Sequence, residues 1–300
     1  MKIFVLCANE NWVVDHLAKE WIENNKSIYT NNIHEADTIW ILSYYVAHQV
    51  PLELFKNKNV ITTIHHIVPW KMNEERIAYY KFLNGITTIF HTLQEHTKTL
   101  LEKYVDKPIV IKPFWTNQNL WKHKYNKAYL REQYGIPKEC YLIGSFQRDT
   151  EGDSIASGNY SPKLEKGPDI FIDAVKALQI KHLNIRVLLT GRCREYIMSM
   201  LQKNNIKYSY FEMIDYKQIN DLYNCLDLYI VSSRVEGGPR AINECAANQT
   251  PIISTDVGVA KYILHKDSIF NMHDPNTVIN ATPCIDHAYN NVEQMFIPRY

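Results

Sequence analysis

The chain has 300 residues, enough for two ordinary domains with cores that need no disulfide staples. Its 33 Lys and Arg nearly cancel its 32 Asp and Glu, which argues against a protein held mainly to nucleic acid. With 46% hydrophobic and 22% charged residues the chain is not disordered, and no run approaches the roughly 18 apolar residues of a transmembrane helix. The start, MKIFVLCANENW, has too short an apolar stretch for a secretory signal, so a cytoplasmic protein is expected.

Short β-branched apolar runs alternate with helix-period stretches along the whole chain. In the first half the pattern predicts strands at 2–7, 38–42, 60–64, 86–90 and 109–112. Helices are predicted at 12–23, with Val13, Leu17 and Trp21 on one face, at 74–83 and at 93–104. Residues 113–127, PFWTNQNLWKHKYNK, are polar, aromatic and aperiodic, and read as a linker. The alternation then restarts. Strands are predicted at 140–145, 185–190, 208–212, 226–231 and 252–254, and helices at 167–178, 194–204, 216–225 and 239–247. A last helix is expected at about 285–296. Near-continuous apolar strands separated by helices imply parallel sheets covered on both faces. The fold class is therefore α/β with two Rossmann-like domains, 1–120 and 121–283, followed by a C-terminal segment 284–300. Ligands of such sheets bind outside the carboxyl ends of the strands, so chemistry is sought there.

The richest stretch follows the strand at 226–231 and reads SSRVEGGPRAINE from Ser232 to Glu244. Gly237 and Gly238 let the backbone approach a ligand, and the N–H groups of a helix start favour phosphate. Pro239 suits the first helical position. Glu236 lies before the helix and Glu244 five residues past Pro239, about 7.5 Å along the axis, a span similar to a diphosphate. Carboxylates accept two hydrogen bonds and so suit paired sugar hydroxyls.

After these come Gln249-Thr250-Pro251-Ile252-Ile253-Ser254-Thr255-Asp256-Val257-Gly258. The whole run resembles the retaining GT-B glycosyltransferases of family 4 in their Glu-x7-Glu signature. Residues 213–230 resemble that family's run before the signature. Leu188-Leu189-Thr190-Gly191 matches its glycine position, with the second glycine missing. Gly144-Ser145-Phe146-Gln147-Arg148 and Glu165-Lys166-Gly167-Pro168-Asp169 are similar to its paired Arg and Lys motifs, separated here by the insert Asp149 to Glu165. The insert is rich in Gly, Ser and Asp, is open to reading as a mobile flap, and makes Lys163 a rival for Lys166. In the first half, His65 of His65-His66 matches the family's His after a strand.

The resemblance implies a GT-B fold whose last helix crosses back to the N-terminal domain. It implies transfer of a hexose from a nucleotide diphosphate sugar to an acceptor hydroxyl with retention. Glu236 and His65 would serve the reacting sugar. Arg148, Lys166, Gly237, Gly238 and Glu244 would hold the donor. The acceptor would be a glycan, a lipid-linked sugar or a surface polysaccharide. No cofactor or metal is expected: there is no Asp-x-Asp, no His-Glu-x-x-His, no P-loop and no Gly-x-Gly-x-x-Gly. The six cysteines, widely spaced, read as free thiols. Nucleic acid is not an expected partner. Clustered aromatics and bases such as Trp70-Lys71 and Trp121-Lys122 leave room for weak peripheral membrane contact, and nothing points to an oligomeric state. The rival functions are a non-catalytic sugar-nucleotide-binding subunit, a DNA-modifying glucosyltransferase and a sugar-nucleotide epimerase.

Overall fold

The structure, a computed structural model, describes residues 1–297, without the side chain of Asp153. It divides into two compact units, Met1–Pro113 and a second that starts at Phe114.

The first unit contains β1 (Ile3–Leu6), α1 (Val13–Asn24), β2 (Thr38–Ile41), β3 (Asn59–Thr63), α2 (Glu74–Ile86), β4 (Ile89–Thr92), α3 (Glu95–Leu101) and β5 (Ile109–Ile111). The strands lie in the order β1-β2-β3-β4-β5, all parallel. On the outer side of β1, Ile3 bridges to Tyr29, with Ile3 N–H on Ile28 O at 2.7 Å and Thr30 N–H on Ile3 O at 3.0 Å. The chain thus leaves β1 for one edge and returns to β2 on the other side, so the strand order reverses between β1 and β2. Ile39, Ile41, Val60 and Phe90 form the core with Tyr80 and Leu83 of α2 and Leu101 of α3.

Two of the boundaries that move have a clear local cause. The strand expected at 86–90 starts at Ile89, because α2 keeps its ladder to the end, with Thr87 N–H on Leu83 O at 3.0 Å. The helix expected at 93–104 starts at Glu95, because the Gln94 side chain accepts the His96 N–H at 2.7 Å and caps it.

The second unit contains α4 (Lys127–Gln133), β6 (Tyr141–Ser145), α5 (Gly152–Ile155), α6 (Pro168–Leu178), β7 (Ile185–Thr190), α7 (Glu195–Lys203), β8 (Lys207–Phe211), α8 (Tyr216–Cys225), β9 (Leu228–Val231), α9 (Arg240–Asn248), β10 (Ile252–Thr255), α10 (Ala260–Ile263), β11 (Ile269–Phe270) and α11 (Ile285–Glu293). Its strand order is β11-β10-β9-β6-β7-β8, all parallel, the doubly wound order of a Rossmann sheet. Alternate side chains feed two cores. Ile143, Val187, Leu189, Ile230 and Ile253 meet Phe171 and Val175 of α6 and Leu201 of α7. Leu142, Leu188, Tyr229, Val231 and Ile252 meet Tyr223 of α8 and Ile242 and Cys245 of α9.

The stretch read as a linker, 113–127, is largely packed structure. Trp121 is 2% exposed and stands edge-on to Tyr216 and Tyr223. Lys122 and Lys124 N–H groups bond the side chains of Asn220 and Asn224 at 3.1 and 2.7 Å. Helix α4, absent from the expected elements, follows at once with Asn126 as its cap. The last helix, α11, packs on α9 and α10. No described helix is long and apolar enough to cross a membrane.

Candidate functional site

In the second unit the strand order reverses between β6 and β9, and a doubly wound sheet takes its ligand outside the carboxyl ends of the strands at that reversal. The loops that leave β6 and β9 there carry Gln147 and Arg148, and Ser232 to Gly238. A third loop, ending in Lys166 and Gly167, lies against them. Gly167 has φ 58°, and a Cβ on it would stand 1.9 Å from the Ser232 carbonyl oxygen, so only glycine permits this approach. Arg234 and Val235 N–H groups bond Glu165 O at 2.9 and 3.1 Å. Gln147 donates to Lys166 O at 2.8 Å and accepts from Ser233 Oγ at 3.1 Å, while Ser232 Oγ donates to Lys166 O at 3.2 Å.

These bonds fix the backbone of Lys166, and its ammonium forms an ion pair with Glu236. The two side chains are 19% and 10% exposed, so the pair is partly shielded from water. Ser233 Oγ lies 3.5 Å from the same Glu236 oxygen. Two of the residues expected at the site are thus brought together.

Gly258, with φ 57°, seats the loop after β10 against the glycine pair: a Cβ there would stand 2.8 Å from Gly237 O. Helix α9 begins at Arg240, so Pro239 is its cap and not its first helical residue; ψ 112° keeps that proline extended. Glu244 lies on α9 and is 8% exposed. Tyr223 Oη donates to Glu244 Oε2 at 2.7 Å. Burial, and then the Glu244 charge, raises the Tyr223 hydroxyl well above its ordinary value, so it stays a donor. Phe146 and Tyr229 pack on the Tyr223 ring, and Tyr229 Oη accepts the Phe146 N–H at 2.8 Å. The carboxylate therefore rests on an aromatic floor.

Arg148 is oriented by the insert. Its Nε donates to Thr150 O at 3.3 Å, and its guanidinium covers Gly152, where a Cβ would meet Nη2 at 2.5 Å. Lys163, the rival cation, lies 3.4 Å from Glu165 and 3.7 Å from Glu151. Of the two lysines, Lys166 meets Glu236. The insert itself is closed at its neck by a Thr150–Pro162 bridge and by Lys163 N–H on Asp149 O at 2.7 Å. Beneath the neck, Asp149 pairs with Arg194, both almost wholly buried; Arg194 also donates to Ser145 O and Thr190 O at 2.7 Å each. Neither residue stood out in the sequence, because their partnership spans 45 positions. Asp169, part of the Lys-Gly-x-Asp match, takes a two-point contact from Arg234 at 2.7 and 2.6 Å. Burial pushes that carboxyl up, but the guanidinium outweighs it and holds the pKa below its ordinary value.

His65 belongs to the first unit, just past β3. Its Nε2 lies 2.9 Å from Leu42 O at the end of β2, and since a carbonyl only accepts, Nε2 carries a hydrogen. Among the described residues no three His, Cys, Asp or Glu side chains converge to hold a metal ion.

Residues 153–283 match the family model of glycosyl transferases group 1. Protein CapJ of Staphylococcus aureus is 27% identical over 150 residues, which span 49% of this chain but only 34% of that protein. HepE of Anabaena, solved with UDP-glucose, superposes with TM-score 0.75 at 14% identity, covering 98% of this chain and 94% of that one. Sucrose-phosphate synthase of Thermosynechococcus elongatus gives 0.68 at 18% identity, covering 97% and 76%. Residues 153–283 thus resemble glycosyl transferases group 1, and the chain has the fold of GT-B glycosyltransferases.

Proposed function

We propose that the chain transfers a hexose from a nucleoside diphosphate sugar to an acceptor hydroxyl, with retention at the anomeric carbon and without a metal. The observation that carries this is the convergence of Lys166, Gln147, Ser233 and Glu236 at the β6/β9 reversal, directly before a glycine pair and a nine-residue helix. A departing nucleoside diphosphate gains negative charge, and fixed cations with a helix N-terminus stabilise it. Lys166 and Arg148 are the cations. Gly237 and Gly238 let the phosphates approach the backbone. Glu244, held by Tyr223, accepts the ribose hydroxyls, and Glu236 faces the transferred sugar. The leaving phosphate oxygen takes the acceptor proton as the new glycosidic bond forms on the face that the diphosphate leaves.

UDP-glucose is the first donor to test, since a protein of this fold has been solved with it. A thermal-shift panel of UDP-, GDP-, ADP- and TDP-sugars checks the donor, because a ligand at 100 times its Kd adds about 2.7 kcal/mol of stability. NMR of the product then reads the anomeric configuration. No shift with any nucleotide sugar, or an inverted product, would overturn the proposal.

A further inference from the structure

Each of the two sheets has two edges, and an edge strand offers a row of backbone N–H and C=O groups on which another chain can pair. Three of the four edges are blunted. The outer side of β1 is covered at Tyr29, through the bonds of Ile3 with Ile28 and Thr30. Strand β5 has three residues and stands between Pro108 and Pro113. Strand β11 has two residues. The fourth edge, β8, has five residues, Lys-Tyr-Ser-Tyr-Phe, and none of them is buried. Among the described residues no strand lies beyond it.

Gly191 N–H bonds Phe211 O at 3.3 Å, which turns the Phe211 carbonyl toward β7. Backbone directions alternate along a strand, so Ser209 faces β7 too, and the N–H and C=O groups of Tyr208 and Tyr210 point outward. Arg186 Nη1 meets the Tyr208 carbonyl and Ser209 Oγ, each at 3.1 Å, and leaves that carbonyl a second lone pair. The stretch from Tyr208 to Phe211 carries no charge and no proline, the usual guards of an edge. Its two ends carry opposite charges. Lys207 begins the strand and Glu212 follows it, and both are exposed.

These features fit the strand to a second copy of itself. A twofold axis perpendicular to the sheet and through Ser209 sets two β8 strands antiparallel. Tyr208 of each copy then stands opposite Tyr210 of the other, and each such pair exchanges both of its backbone hydrogen bonds. The paired rings add cross-strand contact. Lys207 of each copy comes opposite Phe211 and beside Glu212 of the other, so the ends attract. A parallel pairing would set like ends together. We propose that the chain forms a homodimer by antiparallel pairing of β8, which joins two six-stranded sheets into one. The inference goes beyond the transferase reading and does not depend on it. In such a dimer the carboxyl ends of the two sheets, and the candidate sites there, point in opposite directions.

Sedimentation velocity on the full chain, from micromolar concentrations upward, tests the pairing. A species with the mass of two chains is expected. Lys207→Glu and Glu212→Lys each set like charges against one another, and each should raise the dimer dissociation constant about tenfold or more. Lys207→Glu combined with Glu212→Lys swaps the charges and should restore it. Tyr208→Pro removes an outward N–H, a change that an edge strand tolerates, and should leave a monomer. Thermal melting checks that each variant is folded, and the charge reversals at exposed positions decide the matter if the proline variant is not. A monomer at every concentration would overturn the proposal. So would a dimer indifferent to the single charge reversals, one that the double reversal fails to restore, or one that a folded Tyr208→Pro variant retains.

Discussion

Replacing Glu236 by Gln separates two roles that the structure links. The carboxylate is expected to face the transferred sugar, and it also neutralises Lys166 when no ligand is bound. Two unit charges about 3 Å apart attract by roughly 5 kcal/mol at an effective dielectric of about 20, but desolvation returns much of that. A charged hydrogen bond of this kind nets about 1.5–3 kcal/mol. Gln keeps the shape and an oxygen for Ser233, yet it frees the ammonium to meet a diphosphate that no longer competes with Glu236. The UDP affinity of the variant should therefore hold or tighten, by up to about 1.4 kcal/mol or tenfold. Transfer should fall by about a hundredfold or more, as happens when a charge aimed at the transition state is removed. Calorimetric titration with UDP and the initial rate of UDP release measure the two sides. Wild-type turnover would refute the site assignment. A tenfold loss of UDP affinity would instead place Glu236 on the nucleotide.

Glu244→Ala should weaken nucleotide binding about tenfold through one lost charge-assisted contact. It should also lower Tm, because the buried Tyr223 hydroxyl loses its acceptor at a cost of about 1–3 kcal/mol. Activity should survive EDTA, with Arg148 and Lys166 bearing the charge of the diphosphate; loss on chelation that manganese or magnesium restores would refute this. Gly167→Ala should destabilise the chain by more than about 2 kcal/mol in urea unfolding, since the left-handed backbone and the Ser232 carbonyl both oppose a Cβ. Burial lowers the pKa of His91, whose Nε2 meets Lys112 O at 2.7 Å. Below the ordinary histidine value of about 6.5 the unfolded chain binds a proton that the folded one resists, so stability should fall as pH drops through that range. A His91→Gln variant should flatten that slope, measured by urea unfolding between pH 5 and 7.5 (about the window in which an unfolded histidine titrates).

Much of the second unit is legible because its signals are local. The apolar runs at β6, β7, β9 and β10 are continuous, and the glycine pair with its flanking glutamates sits within one loop and one helix. The ion pair of Lys166 with Glu236 spans 70 positions, and no spacing rule announces it. The packing of Trp121 was hidden for a different reason. Its neighbours are polar and aperiodic, so the segment looks like a linker, while what orders it lies elsewhere, in Tyr216 and Tyr223 and in the side chains of Asn220 and Asn224. Helix α4 had a usable signal in Asn126 and Gly135, but its seven residues are too few for periodicity to stand out. In the first unit the strands are short and the loops that leave β1 and β2 lack glycines, so local signals there are weaker.

The insert between Arg148 and Lys166 shows how a site tolerates a break in its motif. Lengthening a loop is cheap, about 0.6 kcal/mol for each doubling, provided that its two ends are still held where the site needs them. Here the ends are held from below and from the side. Arg194 is tied to Asp149 and to the carbonyls that end β6 and β7, which fixes the outgoing strand of the neck. The Thr150–Pro162 bridge and the Asp149 carbonyl fix the returning one. Gln147 then grips the Lys166 carbonyl across the neck. Residues far apart in sequence are thereby set as if the insert were absent. The burial of Asp149 and Arg194 suits them to hold the neck in this way. An exposed pair would be screened and worth little, whereas this one is hydrogen-bonded on several sides and fixes a single geometry. Arg148, by contrast, points its guanidinium at the insert. Its engagement with a diphosphate would therefore be coupled to the conformation of residues 150–152, a dependence that a motif with only a few residues between its cations does not have.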